Sequence, residues 1–385
     1  MEDAAKSIDA SPARFQHYFA SSKGAYRYLG AQSPILTIDM DVARLPVTNQ
    51  SRVSGLFQSR EESSTINSDQ HRYMLQLFFN SVHKVYPVLD ASLPWLSAEM
   101  APDLVYTPPQ HFIRQIVYGI ACHCDNTHGS LLTRLAGTAH SRALQYIEKA
   151  TAEQTILTLQ VAILLVIYTL FDPTSGNISQ QLGFTIRLAM ELAGSDDDEQ
   201  LQILPRLQKI VYSLENHVCS VLVRPTSMPE PTSPLILSTE DPLEFLCTLY
   251  RIQARIRNDT LDDALRQSIL TVSDSSLATL HPNIVSTLWE TWLLLEPSAT
   301  AAVRLISAYL DDGYIADCFS IPWIHRAGTV VIDEVQSAAG PLRLELVLAH
   351  GQAMALLTKW GAKWDGARIV LSSLQYPGIP GTAGR

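Results

Sequence analysis

Between Leu159 and Gly194 the chain reads LQVAILLVIYTLFDPTSGNISQQLGFTIRLAMELAG, and this stretch restricts the fold more tightly than any other. Its first half is apolar on nearly every side of a helix, so it needs other helices around it rather than water along one face. The unbroken apolar run, Val161 to Phe171, is shorter than the roughly 18 residues a membrane span requires, which favours a buried helix. Asp172-Pro173 stops that helix, since proline lacks the N–H needed to continue it, and Gly176 permits a left-handed turn. Asn177 is placed to cap the next helix, with Gln180 in the capping-box position. That second helix puts Leu182, Ile186, Ala189 and Leu192 on one face and Arg187 and Glu191 on a solvated one, and Gly194 can end it. A solvated face excludes a membrane hairpin and leaves a helix hairpin inside a larger helical body.

Helical spacing recurs along the rest of the chain, and strand alternation is scarce. DQHRYMLQLFFNSVHKVYPVLD spaces Tyr73, Leu77 and Val82 as one amphipathic helix stopped near Pro87. QHFIRQIVYGIACHC carries Ile113, Ile116, Val117, Ile120 and Ala121 on one face, and AGTAHSRALQYIEKA continues with Ala139, Leu144 and Ile147. Trp289 and Trp292 share a helix face at three-residue spacing, and they, Trp323, Trp360 and Trp364 are expected to fill the core. Two stretches look loose: the polar, Ser-rich segment 47–69, and 224–242, which holds five prolines. The expectation is an all-α protein. Residues 1–68 form a polar, partly disordered N-terminal segment, and 69–375 a large domain of packed helix hairpins interrupted by a Pro-rich loop at 224–242.

A chain of 385 residues, 46% hydrophobic, can bury a large core. Its formal charge of −10, with no run of Lys or Arg, lacks the basic stripe of a free-standing nucleic-acid binder. The opening MEDAAKSIDASPARFQHYF is acidic and polar, without a signal-peptide core. Cys122, Cys124, Cys219, Cys247 and Cys318 are odd in number and scattered, which suits reduced thiols in a cytosolic or nuclear protein.

Candidate chemistry is thin. CHCDNTH (122–128) offers two Cys and two His, but on a helix Cys122 and Cys124 point about 200° apart, and no second pair follows at ligand spacing. Core cysteines at a helix end are the better reading. No phosphate loop, nucleophile elbow or His-Glu-x-x-His segment is present. Accordingly no catalytic residue, metal ligand or cofactor is assigned.

At the level of ordered motifs, however, the chain resembles the regulatory middle homology region of fungal zinc-cluster transcription factors. GAYRYLGAQSPIL (24–36) is similar to the family's G-x-x-RYLG-x-x-S stretch, and YMLQLFFNSVHKVYPVLD to its helix ending in an aromatic-Pro-hydrophobic turn. TLQVAILLVIYTLFDPTSGNISQQLGFTIRLAMELAG resembles its TLQALLLLAxY helix, short Gly/Asn turn and GxAxRLAxELG helix. LPRLQKIVYSLENHVCSVLVRPTSM (204–228) resembles a helix running into Gly-Arg-Pro, and AMALLTKWGAKWDGARIVLSSL the closing helix pair. The match runs in order over about residues 24–375. It implies an all-helical regulatory domain in the nucleus, acting through dimerisation or a protein partner, with a small-molecule effector as a further option. The family's six-cysteine zinc cluster, which reads DNA beside a basic run, has no counterpart here, since no cysteine precedes Cys122. DNA contact would therefore be indirect. Arg224, before Pro225, is expected to meet orphan carbonyls at a helix C-terminus.

Two other readings stay open. SDDDEQ (195–200), NDTLDDALR (258–266) and LDDGYIAD (310–317) could hold magnesium as in an all-α terpene cyclase. Against this, Asp262 stands where that family has Ser or Thr, Arg266 where it has an acid, and Asp317 is badly spaced; short acidic runs are usually solvated. The third reading is a zinc cluster encoded upstream of this sequence.

Overall fold

A computed structural model describes residues 19–22, 25–28, 68–97, 105–125, 129–194, 198–272 and 274–375. Two short antiparallel strands come first, β1 (Phe19–Ser22) and β2 (Ala25–Tyr28), with Phe19 opposite Tyr28. The remaining regular structure among the described residues is helical, as expected. In chain order the helices are α1 (Ser68–Asn80), α2 (Val82–Val85), α3 (Pro108–Cys124), α4 (Gly129–Leu144), α5 (Ile147–Ala150) and α6 (Ile156–Phe171). They continue with α7 (Ile178–Leu192), α8 (Asp198–Leu222), α9 (Pro242–Arg257), α10 (Asp263–Leu270) and α11 (Asp274–Leu277). The last are α12 (Pro282–Leu295), α13 (Ala299–Tyr309), α14 (Ser320–Ser337), α15 (Gly340–Trp360) and α16 (Asp365–Ser373).

Helices close in sequence pack on one another: α3 on α4, α6 on α7, α7 on α8, α8 on α9, α12 on α13, α13 on α14, α14 on α15 and α15 on α16. The all-round apolar character of α6 has the expected consequence, for α3, α7 and α8 all pack against it and nearly every one of its side chains is buried. Each such Leu, Ile or Val contributes roughly 1.5–3 kcal/mol by leaving water. The α3–α6 approach is close at Gly119, where a Cβ would meet the Tyr168 ring at 2.9 Å.

Local signals placed the α6–α7 hairpin correctly. The Asn177 side chain accepts from the backbone N–H groups of Ser179 and Gln180, and Leu182, Ile186, Ala189 and Leu192 are buried while Arg187 and Glu191 are exposed. Three expectations need correction. The buried face of α1 is His71, Met74, Leu75 and Phe78; Tyr73 is exposed, and the helix breaks at Ser81, so Val82 belongs to α2. A second break, at Gln145-Tyr146, leaves Leu144 exposed and places Ile147 in α5. The irregular stretch 224–242 is pinned rather than loose. The buried Glu215 of α8 accepts from the Ser227 and Met228 N–H groups, and Arg251 and Arg255 of α9 both pair with Glu230.

Three hydrogen bonds tie distant segments to this core. Gln160 of α6, itself buried, donates from Nε2 to the Val88 carbonyl of the Tyr86-Pro87-Val88 turn at 2.9 Å. At the other end of α6, the carbonyls of the last turn lack helical partners. Leu170 O accepts the Cys318 N–H at 3.0 Å, and Phe171 O accepts the Trp364 Nε1–H at 3.1 Å. No helix among the described residues is long and apolar enough to cross a membrane.

Candidate functional site

The C-terminal half of α6 faces a polar cluster in the middle of the core. The elements that meet there are largely apolar, and each contributes isolated polar residues: Tyr86 after α2, His217 of α8, Tyr250 of α9, Asn283 and Glu290 of α12, Tyr309 of α13, and Tyr314 and Asp317 from the connection 310–319. All but Tyr309, which reaches the cluster through Glu290, line a cavity of about 40 Å³, whose apolar wall includes Ile167, Leu170 and Phe171. That is room for a few water-sized groups, given about 10–15 Å³ for each.

One branch of the cluster is a chain of three groups. Tyr250 Oη lies 2.9 Å from His217 Nδ1, and His217 Nε2 lies 2.8 Å from Asp317 Oδ2. The other carboxylate oxygen of Asp317 accepts from the N–H groups of Phe319 and Ser320 and from the Ser320 hydroxyl, which holds Asp317 in place. Burial pulls the His217 pKa down, but the charge of Asp317, its hydrogen bond and the nearby Glu290 outweigh this, so the pKa is raised.

The other branch is Glu290. Tyr309 donates to its Oε1 at 2.8 Å, while Oε2 is buried without a hydrogen-bond partner. Burial pushes its pKa up to about 7, against the lowering effects of His217 and the Tyr309 hydrogen bond. A carboxyl group is thus poised near neutrality beside the cavity, with one oxygen unused. The phenols of Tyr250, Tyr309 and Tyr314 are held far above their usual range by burial and by the neighbouring carboxylates, so they are neutral donors.

Outside this cavity lies a larger one of about 390 Å³, lined by Leu77, Cys124, Leu280 and Pro282, with Lys84, His281 and Asp312 among its polar residues. Tyr314 and Ile315 line both. Asn283 fixes this shared wall reciprocally, donating from Nδ2 to Ile315 O at 2.8 Å and accepting the Ile315 N–H at 2.9 Å. Gly313 supports the same turn: its N–H bonds Asp311 Oδ1, and a Cβ there would sit 3.1 Å from the Pro282 ring.

The residues singled out from the sequence fall mostly elsewhere. Cys122 is buried against the Met74 sulfur at 3.8 Å, and Cys124 donates to Ile120 O, so both are thiols of the last turn of α3. Burial pushes their pKa values up to about 12 and about 11. Residues 126–128 and Ser195, Asp196 and Asp197 lie outside the described residues, as do 29–67 and with them most of the RYLG-like stretch. Asp262 caps α10 by accepting the Leu265 N–H, and Arg266 is exposed. Among the described residues no three His, Cys, Asp or Glu side chains are grouped to hold a metal ion, so the acidic residues of 258–266 and 310–317 do not converge on one. Asp317 reaches the site not as a magnesium ligand but as the partner of His217.

Arg224 requires a correction. Its guanidinium bonds the Ser179 hydroxyl at 2.7 Å and the Cys219 sulfur, not orphan carbonyls. The carbonyl at the end of α8 is capped by the Arg224 backbone N–H, which reaches Cys219 O across Val223 at φ 49°. Trp289, Trp323, Trp360 and Trp364 are core residues, and Trp292 packs edge-on to Trp289 while donating to Ile269 O.

Glu290, His217, Tyr250 and Tyr309 were not found from sequence. Their signal was polar residues set into largely apolar helices, as Glu290 in STLWETWLLL and His217 in IVYSLENHVCSVL, a pattern that does not reveal their partners.

Fold and site together define an all-α protein with a buried, partly unsatisfied polar pocket. No protein-family model, curated protein or solved structure matches the chain.

Proposed function

We propose that this protein is a transcriptional regulator of a limited gene set, such as a secondary-metabolite cluster, built like the regulatory domain of fungal zinc-cluster factors. It acts in the nucleus through a protein partner or a second copy, touches DNA only indirectly, and receives a small effector in its helical core.

One observation carries this reading. The stretches that resemble the family are joined to one another by their own polar residues: the TLQ helix to the YPV turn by Gln160, the closing helix pair to α6 by Trp364, and the Val-Arg-Pro segment to α7 by Arg224. Motifs that co-occur by accident have no reason to supply each other's hydrogen bonds. Val223 adds a second support, since it has the left-handed backbone that suits the glycine of the family's Gly-Arg-Pro pattern. The alternative, a magnesium-dependent all-α biosynthetic enzyme, needs carboxylates converging on one ion, and Asp262 is already used as a helix cap.

Deletion of the gene tests the reading. The expected result is altered transcript levels for a limited gene set, restored by an Asp263→Ala variant, because that exposed carboxylate of the acidic 258–266 stretch lines neither cavity and a surface change is worth no more than about 0.5 kcal/mol. Unchanged transcripts together with one accumulating metabolite, and no rescue by the alanine variant, would replace the regulator with the enzyme.

A further inference from the structure

Glu290 Oε2 is a hydrogen-bond acceptor with nothing to accept, buried beside a cavity that its own residue helps to line. Leaving such a group unpaired is costly, so the position calls for a donor. Several features say what kind. Asp317 has one oxygen on His217 Nε2 and the other saturated by the Phe319 and Ser320 donors, so Glu290 Oε2 is the carboxylate oxygen of the cluster left without a donor. The cavity walls include the rings of Tyr86, Phe171, Tyr250 and Tyr314, and aromatic faces attract cations. An anionic ligand would face Glu290 and Asp317, while the outer pocket offers hydrocarbon surface from Leu77, Leu280, Pro282 and Ile315. The inner cavity, at about 40 Å³, admits an ammonium group with little more, and the outer one, at about 390 Å³, has space for a body.

We propose that these two cavities form one binding site for a small organic cation, a primary or secondary ammonium on a slim apolar body, whose N–H is accepted by Glu290 Oε2 while the body lies along the outer pocket past Tyr314 and Ile315. This deepens the effector part of the proposed function and rests on it only for its biological meaning. Binding by the purified chain is read without reference to transcription.

Protonation of Glu290 competes with the ligand. The groups that face it are Tyr309 of α13, His217 of α8, Tyr250 of α9, Tyr86 after α2, and Tyr314 and Asp317 of the 310–319 connection; Lys363 rests on the Phe171 ring at 5.3 Å. The phenols stay neutral below pH 9, and on acidification His217 and Lys363 gain positive charge. They therefore act in the same direction as Glu290, weakening cation binding.

The experiment is calorimetric titration of the full chain with n-hexylamine hydrochloride, 1-hexanol and sodium hexanoate near pH 8. Hexylammonium is expected to bind at least about tenfold more tightly than either isostere, because only it pairs with the carboxylate. Glu290→Gln, which keeps an acceptor for Tyr309, is expected to abolish that preference. In the wild type, affinity is expected to fall as pH drops below about 7, approaching tenfold per unit, with proton release on binding visible in buffers of different ionisation enthalpy. This pH series serves even if the variant does not fold. Equal affinity for amine and alcohol, undiminished amine binding by a folded Glu290→Gln chain, pH-independent affinity, or no saturable binding of hexylammonium would each overturn the proposal. Altered transcripts on deletion without amine binding would remove the ligand and leave the regulator; amine binding with unchanged transcripts would do the reverse.

Discussion

At Glu290 burial and charge pull against each other, and the balance is measurable. A carboxyl whose folded pKa is raised above its unfolded value stabilises the protein while protonated. That contribution is present below about pH 4.5 and is lost as pH rises through about 7. Replacing it with the neutral isostere removes the loss, so Glu290→Gln is expected to be more stable than wild type above pH 7, by on the order of 3 kcal/mol, and similar to it near pH 5. Urea unfolding at the two pH values checks this; a variant less stable at high pH would show that the ionised carboxylate is well solvated. Val223 is a second residue under tension. A β-branched side chain at φ 49° is strained, and left-handed backbone costs an L-residue roughly 1–2 kcal/mol. Val223→Gly is therefore expected to raise the urea midpoint, with a gain of roughly 1 kcal/mol after the extra entropy of the unfolded glycine. An unchanged or lower midpoint would contradict the strain.

Among the elements, α6 organises its neighbours through its ends and one buried amide. Gln160→Leu keeps the volume but strips the donor from the buried Val88 carbonyl, and the expected loss is about 1–3 kcal/mol in equilibrium unfolding. A loss under about 0.5 kcal/mol would mean that the turn finds another partner. The elements also show which information was legible in the sequence. Asn177 could be read as a cap because its donors, Ser179 and Gln180, are two and three residues away. The burial of α6 followed from composition alone. The face of α1 did not, because Tyr73 and Leu77 form one stripe and Met74, Leu75 and Phe78 an adjacent one, and packing against α3 chooses between them. The site was the least legible part. His217 and Asp317 are 100 residues apart, and spacing rules that work over three or four positions carry no information at that range.

For the whole molecule, the buried and half-buried histidines set the limit of acid stability. Burial lowers the pKa of His83 to about 4, of His123 to about 3 and of His281 to about 4, and it lowers His71, His111, His140, His325 and His350 as well. Below pH 6.5 the unfolded chain takes up protons that the folded one refuses, so stability falls as pH drops, by up to about 1.4 kcal/mol per unit for each of His83, His123 and His281 and by less for the others, whose charge water screens. Glu290 and His217 oppose this, but they are two groups against eight. Cooperative loss of helical circular dichroism is expected between about pH 6 and pH 4; a spectrum and near-ultraviolet signal intact near pH 4 would contradict it. The bond from Trp364 to Phe171 has a different consequence, one of timing. Its two ends are separated by 193 residues, which ribosomes take roughly 10–40 s to add. Throughout that interval the most apolar helix of the chain is made but its last turn has no lid, so during biosynthesis the nascent protein presents a greasy, half-closed intermediate to whatever holds such chains until the C-terminal helices arrive.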